Sequence, residues 1–254
     1  MSDQIQPPTG GALGQAATMR TRRWLLERAA VGAVGVAAGG ALDVPGTALA
    51  SPAQGAIGAF GRVAATTEAL TVTLLTELLR RVGANPSVPA GVKAVFEGAY
   101  AAEVDHYRFA SAHWQPTTTE FWIPDGFFGG AGNDLNLTAV GNALVAGETL
   151  FVNLYLIGVT VFARAGLDEL ARFSAELAGC ESEHRVLAEN LIGASPPNNV
   201  GFEVYSIHDP GAIEKALEGA GVGFGAQGSA PGAFYRLANP IMTPPLAINA
   251  NTPT

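Results

Sequence analysis

The sequence predicts an all-α fold: an antiparallel four-helix bundle with a long crossover between helices 2 and 3 and an irregular C-terminal extension. Three observations carry that expectation. Apolar residues recur at helical spacing in four long segments. Glycine and proline stand where those segments must stop. The connections are short, long and short in turn, which makes two hairpins joined by one crossover.

The chain has 254 residues and opens with an address rather than a fold. Thr21-Arg22-Arg23-Trp24-Leu25-Leu26 precedes an apolar stretch from Ala29 to Leu42, and Ala48-Leu49-Ala50 offers small residues where a signal peptidase reads. The order is that of a signal peptide, and the arginine pair resembles a twin-arginine export signal. The apolar run falls short of the roughly 20 residues that a bilayer span needs. Residues 1–50 are therefore expected to be a leader. It would direct the protein to the periplasm, cell wall or exterior by the twin-arginine route, with no stable membrane insertion once it is removed. The bundle is expected over 51–194 and the extension over 195–254.

The first helix is expected from about Arg62 to Val82, on Leu70, Leu74, Leu75, Leu78 and Leu79, with Gly83-Ala84-Asn85-Pro86 ending it. The second runs from about Pro89, a residue suited to a first helical turn, to Trp114. Residues 115–136 contain Pro116, a threonine run, Pro124 and Gly126-Phe127-Phe128-Gly129-Gly130, which reads as the long irregular connection. The third helix is expected from about Leu137 to Ala165 before Gly166, and the fourth from Asp168, as N-cap, to Leu191. Beyond Ser195 the chain is rich in Pro, Gly and Asn, with one short helical pattern from about Pro210 to Glu218.

Composition excludes some partners. The formal charge is -8, so the surface has no basic excess to hold a nucleic acid. Cys180 is the single cysteine, which rules out an intrachain disulfide framework; it reads as a small buried helix residue.

Two of the four histidines close a Glu-x-x-His spacing: Glu103-Val104-Asp105-His106 and Glu181-Ser182-Glu183-His184. On a helix, residues three apart share a face, so each motif aims a carboxylate and an imidazole at one point. Helical steps from the first motif give Val92, Phe96, Ala99 and Ala110, and from the second Leu170, Leu177, Ala188 and Leu191. Both motifs thus face the core, where charge needs a partner or a metal. Hairpin geometry finds the rest. Glu103 and His106 lie roughly 18 residues past the first turn, and roughly 18 before it stands Glu68. Glu77 would sit about nine residues lower, some 13 Å away. The same exercise about Gly166 returns Glu148, the one acid in its helix and an intruder among Leu144, Phe151, Val152 and Tyr155.

A Glu on one helix, a Glu-x-x-His on the next, and the pair repeated resembles the ligand set of the ferritin-like di-iron and di-manganese carboxylate proteins. The resemblance covers about Arg62 to Leu191. Thr119-Glu120-Phe121-Trp122-Ile123-Pro124-Asp125 and Cys180-Glu181-Ser182-Glu183-His184-Arg185 look like the bacterial exported ferritin-like domains related to the desiccation-associated group. It implies that Glu103 and Glu181 bridge two ions, that Glu68 and His106 complete one, and that Glu148 and His184 complete the other. The ions would be two Fe, or alternatively Mn. Four carboxylates at -4 match two divalent ions at +4, and without metal several of them should take up protons.

The expected function is oxidation of Fe(II) or consumption of oxygen or peroxide at that centre. The alternative is a non-catalytic structural or stress-protective envelope protein on the same bundle; an iron-storage cage subunit is a third reading. Tyr100 and Tyr155 read as core aromatics with a bonded hydroxyl rather than electron relays. Trp114, Trp122, Phe127 and Phe128 are expected to pin the crossover onto the bundle. His113 shares a face with His106 but reads as structural, and His208 as exposed. Asp105 and Glu183 are expected to point away from the site.

Overall fold

A computed structural model describes residues 52–201 and 203–245. The leader expected over 1–50 lies outside the described residues. What is described is mostly helical, with one small sheet. Four long helices dominate: α1 (Pro52–Ala84), α2 (Ala90–His113), α4 (Leu137–Arg164) and α5 (Asp168–Leu191). Between α2 and α4 lie strand β1 (Glu120–Pro124) and a single turn, α3 (Asp125–Phe128). Helix α6 (Pro210–Gly219) and strands β2 (Gly223–Phe224) and β3 (Gly232–Arg236) follow.

Helix α1 packs on α2 and α4, and α5 packs on α4 and α2, so the four close a ring around a shared interior. The core is built from Leu70, Leu75 and Leu78 on α1, Phe96 and Tyr100 on α2, Leu154 and Ile157 on α4, and Leu177 on α5. Helix α1 also buries Thr66, Thr67, Thr71 and Thr73. Their hydroxyls donate to carbonyls one turn back, as Thr73 does to Ala69 at 2.7 Å, so none is left without an acceptor in the core.

Helix α1 starts about ten residues before the expected Arg62, because Gly55, Gly58 and Gly61 hide its periodicity. Gly61 is there for close approach. A Cβ at that position would lie 2.1 Å from the Trp114 ring, which also stacks near Phe162. Gly158 does the same on α4, where a Cβ would meet Phe60 at 2.6 Å and Ser174 Oγ at 2.8 Å.

The ends of α4 follow ordinary capping rules. Asn136 accepts from the amides of Thr138 and Ala139 at 3.0 and 3.1 Å. Gly166, at φ 70, lets Leu167 N–H return to Phe162 O at 2.9 Å. Asp168 is not the N-cap of α5: that position is Leu167, which gives no side-chain cap, and Asp168 and Glu169 instead place negative charge in the first turn. Among the described residues α4 is the one helix long and apolar enough to cross a membrane. Here Phe151, Val152, Leu154, Tyr155 and Ile157 bury against the neighbouring helices.

The crossover and the C-terminal extension are more regular than expected. Strand β1 is central, antiparallel to β2 on one side and β3 on the other, with Phe121 opposite Phe224 and Tyr235. Phe121 and Ile123 point inward and are buried. Trp122 donates to Ala230 O at 2.9 Å and meets Phe234 edge-on, so it ties the extension to the crossover rather than to the helices.

Arg81 holds this layer down. It is fully buried, donates to Glu77 at 2.7 Å, to Gly130 O and Asp134 O at 2.9 and 2.8 Å, and to the Tyr235 hydroxyl at 3.1 Å. Its guanidinium lies 3.9 Å above the Phe128 ring. The extension is tied twice more. Asn153, buried in α4, accepts from the amides of Ser206 and Ile207, and Arg185 pairs with Glu203. Helix α6 rests on α1 and α4.

Candidate metal centre

The six residues singled out from the sequence meet inside the helical ring: Glu68 from α1, Glu103 and His106 from α2, Glu148 from α4, Glu181 and His184 from α5. They form two groups of potential ligands, Glu68, Glu103, His106 and Glu181, and Glu103, Glu148, Glu181 and His184. Within each group the ligand atoms lie within 4.8 Å of one another, and Glu103 and Glu181 belong to both.

The shared carboxylates split their oxygens between the two histidines. His106 Nδ1 is 3.4 Å from Glu103 Oε2 and 3.1 Å from Glu181 Oε1. His184 Nδ1 is 2.9 Å from Glu103 Oε1 and 3.1 Å from Glu181 Oε2. Glu68 Oε2 lies 3.9 Å from His106 Nδ1. At metal–ligand distances of about 2.0–2.2 Å, neighbouring donors around an octahedral or tetrahedral ion are about 2.8–3.6 Å apart, so all of these separations but the 3.9 Å of Glu68 suit atoms gathered around ions.

Hydrogen bonding supports that reading. Glu68 Oε2, both Glu103 oxygens, His106 Nδ1, Glu148 Oε2 and Glu181 Oε1 are buried without a hydrogen-bond partner. Native interiors leave few such atoms, and six at one point ask for a cation to satisfy them. The donor set therefore fits a metal site.

The charges pull against one another in the absence of metal. Burial, with the Glu103 and Glu181 carboxylates beside it, pushes Glu68 well above the usual carboxylate range. Glu148 is pushed up by burial and by Glu181. Burial would raise Glu103 too, but the two imidazoles outweigh it and hold that carboxyl below its usual range. For His106 burial favours the neutral ring, yet the Glu181 and Glu103 carboxylates prevail and raise it well above the ordinary value. His184 is likewise raised against burial, by contacts with Cys180, Glu103 and Glu181.

Two neighbours shape the ligands from outside. Tyr155 is buried, and its hydroxyl donates to Glu68 Oε1, which leaves Oε2 facing the centre. Tyr100 is buried too, but it donates to Met242 O at 3.0 Å, away from the site. Cys180 was not expected here. Its Sγ lies 3.8 Å from His184 Nε2, so the thiol meets the outer edge of that imidazole. The signal was in the sequence: Cys180 stands four residues before His184, on the same helical face.

Other residues take quieter places. Glu77, the competing acid of α1, pairs with Arg80 and Arg81 at 2.6 and 2.7 Å. His113 packs on Phe109 and Trp114 and belongs to neither ligand group. His208 is exposed against Tyr205. Asp105 pairs with Arg108 on the surface, and Glu183 is exposed. No family model, curated protein or solved structure matches the chain.

Proposed function

We propose that this is an exported ferritin-like protein with a dinuclear carboxylate–histidine centre that oxidises Fe(II) or consumes oxygen or peroxide. The carrying observation is the pair of ligand groups sharing Glu103 and Glu181, with one oxygen of each turned to either histidine. Glu103 and Glu181 would bridge two ions, Glu68 and His106 would complete one, and Glu148 and His184 the other. Mixed imidazole and carboxylate donors suit iron first and manganese second. A pair of such ions supplies electrons or Lewis acidity to a small oxygen species.

The chain's own residues prepare the site for that work. Tyr155 turns Glu68 so that a single oxygen faces inward. Glu103 and Glu181 are buried, which strengthens each electrostatic contact they make. Without metal, burial and the neighbouring carboxylates favour the protonated forms of Glu68 and Glu148, which lowers the charge held inside. The arginine pair and apolar run of residues 1–50 support export by the twin-arginine route.

The test is elemental analysis of purified protein after loading with Fe(II) or Mn(II), beside Glu103→Ala and His184→Ala. About two ions per chain, lost in both variants, is the expected result. A well-folded protein that holds neither metal would overturn the proposal and leave a structural, stress-protective bundle.

A further inference from the structure

A cavity reaches the centre from one side. A cavity of about 420 Å³ lies among α1, α2, α4 and α5, and Glu103, Glu148 and His184 line it. Glu68 and His106 do not. Its walls are apolar: Leu75, Val92, Phe96, Leu144 and Leu191. Val95 and Leu187 also line it, and these two are 37% and 42% exposed, which marks the rim. The charged or titratable side chains in the lining are the three that belong to the centre. From Glu103 to Val92 the α2 wall extends eleven positions, about 16 Å.

That form selects its occupant. Among the side chains above the floor Asn190 alone offers an oxygen, so the walls suit an apolar occupant better than a hydrated cation. A diatomic oxidant needs far less room, since even a water molecule takes about 30 Å³. An apolar space left empty costs stability in proportion to its volume, and an apolar chain that fills it removes that cost. The volume falls in the range of about 300–1,000 Å³ common to small-molecule pockets.

We infer that the cavity binds an aliphatic molecule, an unbranched hydrocarbon chain with a small polar end. The chain lies along Val92, Phe96 and Leu144, and the polar end meets the Glu148 and His184 half of the centre. This inference rests on the metal reading and names the substrate class that the cavity admits.

The test is fluorescence titration of the metal-loaded full chain with cis-parinaric acid, followed by displacement with 1-decanol. Ala99→Trp fills the cavity and Leu187→Arg charges its rim, and neither position is itself a ligand of the centre. Binding at least tenfold weaker in both, with metal content and helical circular dichroism unchanged, is the expected result. Leu187→Arg, a substitution at an exposed position, decides the matter if Ala99→Trp does not fold. A wild-type chain that ignores the probe, or variants that bind it equally well, overturns the inference. Metal retained without probe binding removes the cavity's role alone. Variant-sensitive probe binding to a chain that holds no metal upholds the cavity and removes the metal reading.

Discussion

Cys180 is where a residue's type and its place tell different stories. As a lone cysteine in a helix it is a small apolar filler, and by contact it is the neighbour of the site histidine His184. Metal-ligating histidines usually give their outer N–H to a carboxylate or carbonyl, which fixes the ring. Here a sulfur stands in that place. Cys180→Ala should therefore weaken metal binding about 10–100-fold while Cys180→Ser recovers part of the loss, as competition with a chromophoric chelator would measure. Protons provide a second check. Glu68, Glu148, His106 and His184 are all raised, so without metal each favours its protonated form more than a free side chain does, and an ion competes with protons there. Fewer protons compete as pH rises through those values. Metal affinity should climb with pH, by up to two protons per ion, and loading in weak buffer should acidify the solution. Equal affinity at pH 5 and pH 8 would contradict the assignment.

At the scale of elements, the long helices were legible and the sheet was not. Four apolar stripes, Gly83, Pro89 and Gly166 are local signals, and hairpin symmetry about two turns was enough to pick Glu68 over Glu77. Strand β1 shows alternation at Phe121 and Ile123, but its partners begin about a hundred residues later, at Gly223 and Gly232. No local period encodes a pairing that distant, and two-residue β2 has no pattern of its own. Arg81 was missed for the same reason, since its acceptors Gly130 and Asp134 belong to the crossover. Arg81→Met should destabilise the fold by about 1–3 kcal/mol, because it removes the donor to the Gly130 and Asp134 carbonyls and leaves Glu77 with Arg80 alone; urea unfolding followed by circular dichroism would measure it. Burial would raise Glu77, but Arg80 and Arg81 outweigh it and hold the carboxyl low. The stabilisation from that pair is complete above the ordinary carboxylate range and is lost as pH falls through the lowered folded value.

For the whole molecule, the centre is also a clasp. All four long helices send a side chain to it, two through the Glu-x-x-His motifs and two through single glutamates. A metal that binds the folded chain and not the unfolded one stabilises by about 4 kcal/mol at a thousand times its dissociation constant. Calorimetry of loaded and chelator-treated protein should show a clear fall in melting temperature on stripping. Coincident transitions would mean that nothing bound in the folded state. The core that remains, from Leu70 to Ile157, is continuous enough to keep the stripped chain helical.

The two halves of the centre are alike in ligands and unlike in access. Glu148 and His184 line the cavity, whereas Glu68 is shut behind Tyr155 and the rest of α1. Symmetry of composition thus gives way to a division of labour: the half that lines the cavity faces whatever enters it, and the half behind Tyr155 completes the clasp.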